Sequence, residues 1–273
     1  MPGISNKVVI DGTTQPGYAG SPIIEIVGAN AGTAADGLRI RASNCVIRSV
    51  AINRFSNNAI SIFTNASSRV EKCYLGLATD GFTARSNLAS GISIMDSANN
   101  VISNNIICAN IVNGVEIIGL TASNNVVLGN YIGVDVTGTN AVGNRQNGVF
   151  ISFPPRCAIG GTNLSARNVI SGNGLHGISL AGGSDHLILG NLIGTDSTGT
   201  RGIANLRGIT GGETSLSVNG SPGTLYVIER TTNLENPSSW LPIGTTNAPA
   251  NGHFEFVDSA PPNGGAFYRV AQP

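Results

Sequence analysis

The stretch Asn168-Val-Ile-Ser-Gly-Asn-Gly-Leu-His-Gly-Ile-Ser-Leu180 decides the fold of this chain. A short apolar pair runs into Gly-Asn, a small residue follows, and a Gly-apolar-x-apolar strand closes the unit. The same order recurs in degenerate form from about Gly37 to Gly208. Its strand starts are Gly37-Leu-Arg-Ile, Ala59-Ile-Ser-Ile, Gly91-Ile-Ser-Ile, Gly114-Val-Glu-Ile, Gly148-Val-Phe-Ile and Gly177-Ile-Ser-Leu, with Gly208-Ile-Thr as a last, broken copy. The intervals are 22, 32, 23, 34, 29 and 31 residues. Self-similarity at that period is the mark of a solenoid, in which each unit buries its apolar face only against its neighbours.

Alternation within each strand assigns faces. In Gly91-Ile-Ser-Ile, Ile92 and Ile94 point one way and Ser93 the other. Stacked coils then place Leu38, Ile60, Ile92, Val115, Val149 and Ile178 in one aliphatic column inside a tube. A second strand carries asparagines. Superposing Val101-Ile-Ser-Asn-Asn105, Val126-Val-Leu-Gly-Asn130, Val169-Ile-Ser-Gly-Asn173 and Leu187-Ile-Leu-Gly-Asn191 brings Asn105, Asn130, Asn173 and Asn191 into register, with Val50 and Cys73 in the earlier coils. Stacked amides hydrogen-bond along such a column, so a structural ladder is expected in preference to a row that reads a ligand.

Three of the longer intervals carry related insertions: Leu75-Gly-Leu-Ala-Thr-Asp-Gly81, Ile132-Gly-Val-Asp-Val-Thr-Gly-Thr139 and Ile193-Gly-Thr-Asp-Ser-Thr-Gly-Thr200. The superrepeat is therefore two coils, and the loops are expected on one side, about 10 Å apart, each folding over the short coil beside it. Asp135 and Asp196 raise calcium as a ligand, because carboxylate oxygens suit that ion. The matching residue of the first loop is Ala78, and the expectation is that these acids cap Asp-x-Thr-Gly turns instead. No resident cofactor is expected.

Composition agrees with strands and turns. Of 273 residues 37 are Gly, charged residues make up only 11%, and no sustained 3.6-residue periodicity appears. The 15 basic and 15 acidic side chains cancel, and the only lysines are Lys7 and Lys72, so the basic footprint of a nucleic-acid binder is missing. No apolar run reaches the roughly 18 residues a membrane helix needs. Met1-Pro-Gly-Ile-Ser lacks a signal-peptide pattern, and the first strand, Lys7-Val-Val-Ile-Asp11, begins almost at once. A chain shortened at its start, without its signal and capping segments, is the expectation. Cys45, Cys73, Cys108 and Cys157 are too scattered for a zinc site and are expected to be buried and apolar in role.

After Gly211-Gly212 the period stops. Leu216-Ser-Val218, Leu225-Tyr-Val-Ile-Glu229, Trp240-Leu-Pro-Ile243, His253-Phe-Glu-Phe-Val257 and Ala266-Phe-Tyr-Arg-Val270 suggest five strands of a small antiparallel sandwich. Two domains are expected, a solenoid over 1–210 and a small β-sandwich over 214–273. Tyr226, Trp240, Phe254 and Phe256 are expected to form the core of the second domain, with a sugar-stacking platform as the alternative.

The coils of about 7–210 resemble the right-handed parallel β-helix, or pectin-lyase-like, superfamily. Ile10-Asp-Gly-Thr-Thr-Gln-Pro-Gly-Tyr18 with Pro22-Ile-Ile-Glu-Ile26 resembles the opening coil of large bacterial secreted proteins of this kind. Phe267-Tyr-Arg-Val270, Thr231-Thr-Asn-Leu234 and Trp240 are similar to accessory C-terminal modules on such proteins. The resemblance implies an all-β, right-handed parallel β-helix of about seven coils, secreted or at the cell surface.

It also raises polysaccharide lyase or glycoside hydrolase activity, since many members degrade polysaccharides. Lyases of this fold need clustered carboxylates with an Arg or Lys base, and hydrolases need paired acids. Here the outward column reads Arg39, Ser61, Ser93, Glu116, Phe150, Ser179, with a single acid, and the next reads Arg41, Phe63, Met95, Ile118, Ser152, Ala181, with none. Gly174-Leu-His-Gly177 is similar to the Gly-His-Gly of polygalacturonases but has an extra Leu, and the Asn-Thr-Asp, Asp-Asp and Arg-Ile-Lys motifs of that family are missing. His176 is expected to be a variable turn residue, Asp185-His186 a turn pair, and Arg48–Glu71 a surface ion pair between neighbouring coils. The leading expectation is a non-catalytic scaffold or binding module with a polysaccharide or cell-envelope partner. The enzyme is the alternative.

Overall fold

The computed structural model describes residues 3–63, 67–200, 207–209, 213–219, 223, 225–232, 240–250, 253–260 and 267–271. The chain forms two compact units, Met1–Asn205 and Leu206–Pro273.

The first unit is a parallel β-helix of seven coils. Each coil gives one strand to a first sheet, one to a second and, up to the sixth coil, one to a third. In the opening coil these are Val9–Asp11, Ile24–Val27 and Leu38–Ile40, and in the fourth Val101–Ser103, Ile106–Ile107 and Val115–Ile118. All pairing is parallel between successive coils, giving two seven-stranded sheets and one of six. The predicted column is found as drawn: Leu38 pairs with Ile60, Ile60 with Ile92, Ile92 with Val115, Val115 with Val149 and Val149 with Ile178. These residues join Ile47, Val70, Ile102, Val127 and Ile159 of the first sheet and Ile52, Leu75, Ile107, Ile132 and Ile170 of the second in one aliphatic core. The strands stay short because backbone bends alternate with them. Ser49, Lys72, Asn104, Gly129 and Gly190, at the corner between the first and second sheets, all have φ between 53° and 66°.

The corners are held by side-chain amides. Asn105 Oδ1 accepts the Cys73 N–H (2.9 Å), and Asn130, Asn168 and Asn191 repeat this contact up the tube, each accepting the backbone N–H and the Nδ2 of the asparagine below. Asn173 is not in this row, contrary to the sequence alignment. It tops a second ladder, Asn87–Asn110–Asn144–Asn173, whose Nδ2–Oδ1 links are each 2.9 Å. A third ladder runs through Ser68, Asn100 and Asn125 (Ser68 N–H to Asn100 Oδ1 3.0 Å, Asn100 N–H to Asn125 Oδ1 2.8 Å). A fourth has the opposite sense: each backbone N–H donates to the side chain of the coil before it, along Asp36, Asn58, Ser90, Asn113, Asn147 and His176. The amides of Asn87, Asn100, Asn105, Asn110, Asn125, Asn130, Asn144 and Asn168 are wholly buried, so they cannot read an external ligand.

Two further expectations are corrected. Arg207–Ile209 is not a last solenoid strand; it pairs antiparallel with Glu213–Asn219 in the second unit. The three loops are not separated: the Val136 N–H reaches Gly81 O (3.3 Å) and the Ser197 N–H reaches Gly138 O (3.0 Å), so the loops touch across the short coils between them.

Among its described residues the second unit has two three-stranded antiparallel sheets. Arg207–Ile209, Glu213–Asn219 and His253–Asp258 form one, and Leu241–Asn247, Leu225–Thr231 and Phe267–Ala271 the other. Tyr226 and Phe254 pack with ring centroids 5.6 Å apart, joined by Ile228, Ala248, Ile243 and Phe256, so these aromatics are core residues, while Trp240 is half-buried. Among the described residues no helix is long and apolar enough to cross a membrane.

Candidate ligand-binding face

A ligand can reach a β-helix through the outer faces of its sheets and the loops at its corners, and the three faces differ. The second sheet is covered. Its outward Tyr74 and Ile106 are buried beneath the stacked loops, in a small cluster with Leu77 and Cys108 against which Val136 and Val142 pack.

The loop acids are committed to the backbone. Asp135 Oδ1 accepts from the Thr137 N–H (3.1 Å) and hydroxyl (2.6 Å), and Asn140 Nδ2 donates to Oδ2 (2.7 Å). Burial pushes the Asp135 carboxyl up, but the hydrogen bonds from Thr137 and Asn140 outweigh it and hold the group below the usual carboxylate range. Asp196 repeats the turn with Thr198. In the first loop, where Ala78 takes the corresponding place, Asp80 binds the N–H groups of Phe82 and Thr83 and the Thr83 hydroxyl. The expected turn-capping role is thus found, and among the described residues no three His, Cys, Asp or Glu side chains gather as a metal site would require.

The first sheet carries ion pairs at its N-terminal end. Arg48 donates from Nε to Glu71 (2.6 Å) and from Nη1 to Asp11 (3.1 Å), linking three successive coils. The hydrogen bond to Glu71 raises the Arg48 pKa.

The outward side of the third sheet is partly open: Ser61, Ser93 and Ser152 are buried, Phe63, Ile118 and Phe150 half-buried, and Met95 and Ala181 exposed. Its outward columns follow the predicted register, Ser61–Ser93–Glu116–Phe150–Ser179 beside Phe63–Met95–Ile118–Ser152–Ala181. At one end the Arg39 and Arg41 guanidinium groups each lie 5.6 Å from the Phe63 ring centre, a cation–π arrangement, and Arg39 also binds Asp36 (2.8 Å). In the middle stands Glu116. Burial pushes its carboxyl above the usual range, opposed by hydrogen bonds from Ser93, Asn113 and Ser90. Register neighbours Ser93 and Phe150 carry no charge, so Glu116 has no acidic partner in its column. What this face offers is a half-buried carboxyl hydrogen-bonded by polar side chains on one side and beside Phe150 on the other, with Arg39 and Arg41 at one end.

Of the histidines considered in the sequence, His176 is exposed at a turn. His186 is not a turn residue. Asp185 makes the bend (φ 59°) and His186 occupies a corner position, its Nδ1 accepting the Cys157 N–H (3.2 Å). The doublets Ser67-Ser68, Asn99-Asn100 and Asn124-Asn125, a left-handed residue followed by a hydrogen-bonding one, were the signal for that corner.

No protein-family model matches the chain, and no curated protein does either.

Proposed function

We propose that this protein is a non-catalytic β-helix scaffold of the pectin-lyase-like type, secreted or displayed at a bacterial cell surface, whose third-sheet face binds a polysaccharide. The observation that carries this is the dispersal of the carboxylates: Asp11, Glu25, Asp36 and Glu71 are held by arginines, Asp80, Asp135 and Asp196 by their own turns, Asp96 and Asp185 accept from the Thr121 and Ser184 hydroxyls, and Glu116 has no second acid in its column. Glycoside hydrolysis needs two carboxyl groups facing one bond, and β-elimination needs a base beside a neutralised uronate. Sugar rings stack on apolar and aromatic side chains, which the column Phe63, Met95, Ile118 and neighbouring Phe150 supplies.

Two assays on the full chain test the proposal. Incubation with pectate, alginate and related uronans is expected to yield no unsaturated products by ultraviolet absorbance, and sustained turnover would overturn the non-catalytic reading. A glycan array is expected to show binding that is lost in Phe63→Ala. Silence across the array would remove the polysaccharide and leave a scaffold alone.

A further inference from the structure

Where the third sheet turns toward the first, coils three to six place Asp96, Gly119, Phe153 and Gly182 in one column. The N–H groups of Asp96, Gly119 and Phe153 each donate to the last strand residue of the next coil, Ile118, Ser152 and Ala181 (3.0, 3.0 and 3.1 Å). All four corner residues have positive φ, 49°, 102°, 73° and 83° in that order. Glycine adopts this conformation freely and aspartate tolerates it, but a phenylalanine there is an outlier. Burial does not repay it. Phe153 is 58% exposed, its ring lying over Gly182, where a Cβ would come 3.3 Å from Cδ1. A bulky side chain kept in a disfavoured backbone conformation and left in water points to use at the surface. A second aromatic, Phe150, stands three residues earlier on the outer side of the same strand, and Glu116 is its register partner in the fourth coil.

We infer that Phe150 and Phe153, with Glu116 one rung away, form a subsite that stacks a neutral sugar and rejects acidic ones. This rests on the polysaccharide reading above and adds which sugars the face takes. Charge decides the class. From the third coil to the sixth, the outward strand residues and the corner column read Ser93, Met95, Asp96; Glu116, Ile118, Gly119; Phe150, Ser152, Phe153; and Ser179, Ala181, Gly182. Their only charges are the two acids. Arg39 and Arg41 lie in the first coil, Arg39 three rungs from Glu116 through Ser61 and Ser93, or about 14 Å. A uronate over Phe150 would therefore meet a carboxylate and no cation. Glu116 takes its hydrogen bonds from Ser90, Ser93 and Asn113, while Phe150 on its other side has no donor to give. An ionised carboxyl only accepts, so the hydroxyl of a sugar stacked on Phe150 suits it.

Titration calorimetry of the full chain with soluble galactomannan, mixed-linkage glucan and polygalacturonate tests this. A neutral polymer is expected to bind and polygalacturonate is not. Phe153→Gly gives the corner the residue that Gly119 and Gly182 already supply in its column, so the thermal midpoint is expected to hold while affinity falls roughly tenfold. Glu116→Gln keeps the shape but gives up the charge, and is expected to weaken the neutral polymer several-fold. Binding of polygalacturonate in preference to the neutral polymers, or full affinity in Phe153→Gly, would overturn the subsite. So would a lower midpoint in Phe153→Gly, which would make the ring a brace of the corner. If Phe63→Ala loses binding while Phe153→Gly keeps it, the polysaccharide reading stands and this subsite falls. Silence with every polymer removes both.

Discussion

At the scale of single residues, the fold is fastened by amides that have no freedom to do anything else. Asn130 is wholly buried and uses both ends of its side chain: Oδ1 accepts from Asn105, and Nδ2 donates to Ile102 O, Leu128 O and Asn168 Oδ1. Asn130→Ala strands several of these groups away from water and is expected to cost about 3 kcal/mol, read from a denaturant midpoint. Asn191→Ala, at the partly exposed end of the same ladder, is expected to cost about 1 kcal/mol, since water can replace the lost partner. The ladders were legible as a type but not in membership. Gly129-Asn130 and Gly172-Asn173 share a local string, a left-handed glycine followed by an asparagine, and both are true corners. They are different corners, because the insertion with its Leu164–Ala166 turn delays the sixth coil before it reaches Asn168, and strings alone do not count coils.

At the scale of elements, the β-strands were readable because alternation of apolar and small polar residues fixes the inward face, and a slip by one residue would have reversed it. The loops were recognised as a set, but their contacts were not, since a backbone-to-backbone contact such as Val136 to Gly81 leaves no mark on side-chain identity. Each loop leaves the second sheet through a glycine of positive φ: Gly76 (97°), Gly133 (87°) and Gly194 (76°). A Cβ on Gly133 would lie 2.2 Å from the Ser171 carbonyl oxygen of the next coil, whereas one on Gly194 meets nothing within 4 Å. Gly194→Ala therefore bears only the backbone term, about 1 kcal/mol, and Gly133→Ala bears that plus a clash, about 3 kcal/mol in total. Thermal unfolding of the two variants checks the difference, and equal losses would mean the coils do not stack at that corner.

At the scale of the whole molecule, the aliphatic core is continuous through the tube and then stops: Leu180, Ile188 and Ile193 point inward yet are 46%, 38% and 49% exposed at the last coils. Cys45, Cys73 and Cys157 lie along the same interior and Cys108 in the cluster beneath the loops, all four buried and unpaired, with burial pushing the Cys73 thiol up to about 12 and raising that of Cys108 as well. Cys73 and Cys108 therefore stay as thiols near neutrality. A thiol reagent near pH 8 is therefore expected to leave Cys45, Cys73 and Cys108 unmodified in the native protein and to label them once denaturant unfolds it. Rapid native labelling at those sites would contradict the buried placement. The sequence revealed this interior because cysteine substitutes for small aliphatic residues at inward or corner positions. It revealed little of the outer faces, where Glu116 takes its character from what surrounds it in space.

The contact between loops on alternate coils has a consequence for how such a molecule can change size. Because Val136 meets Gly81 and Ser197 meets Gly138, the smallest piece that can be removed or added with every loop still meeting its neighbour is a pair of coils. Lengthening or shortening the rod is thus quantised in doublets, and an odd excision leaves two loops crowding adjacent rungs.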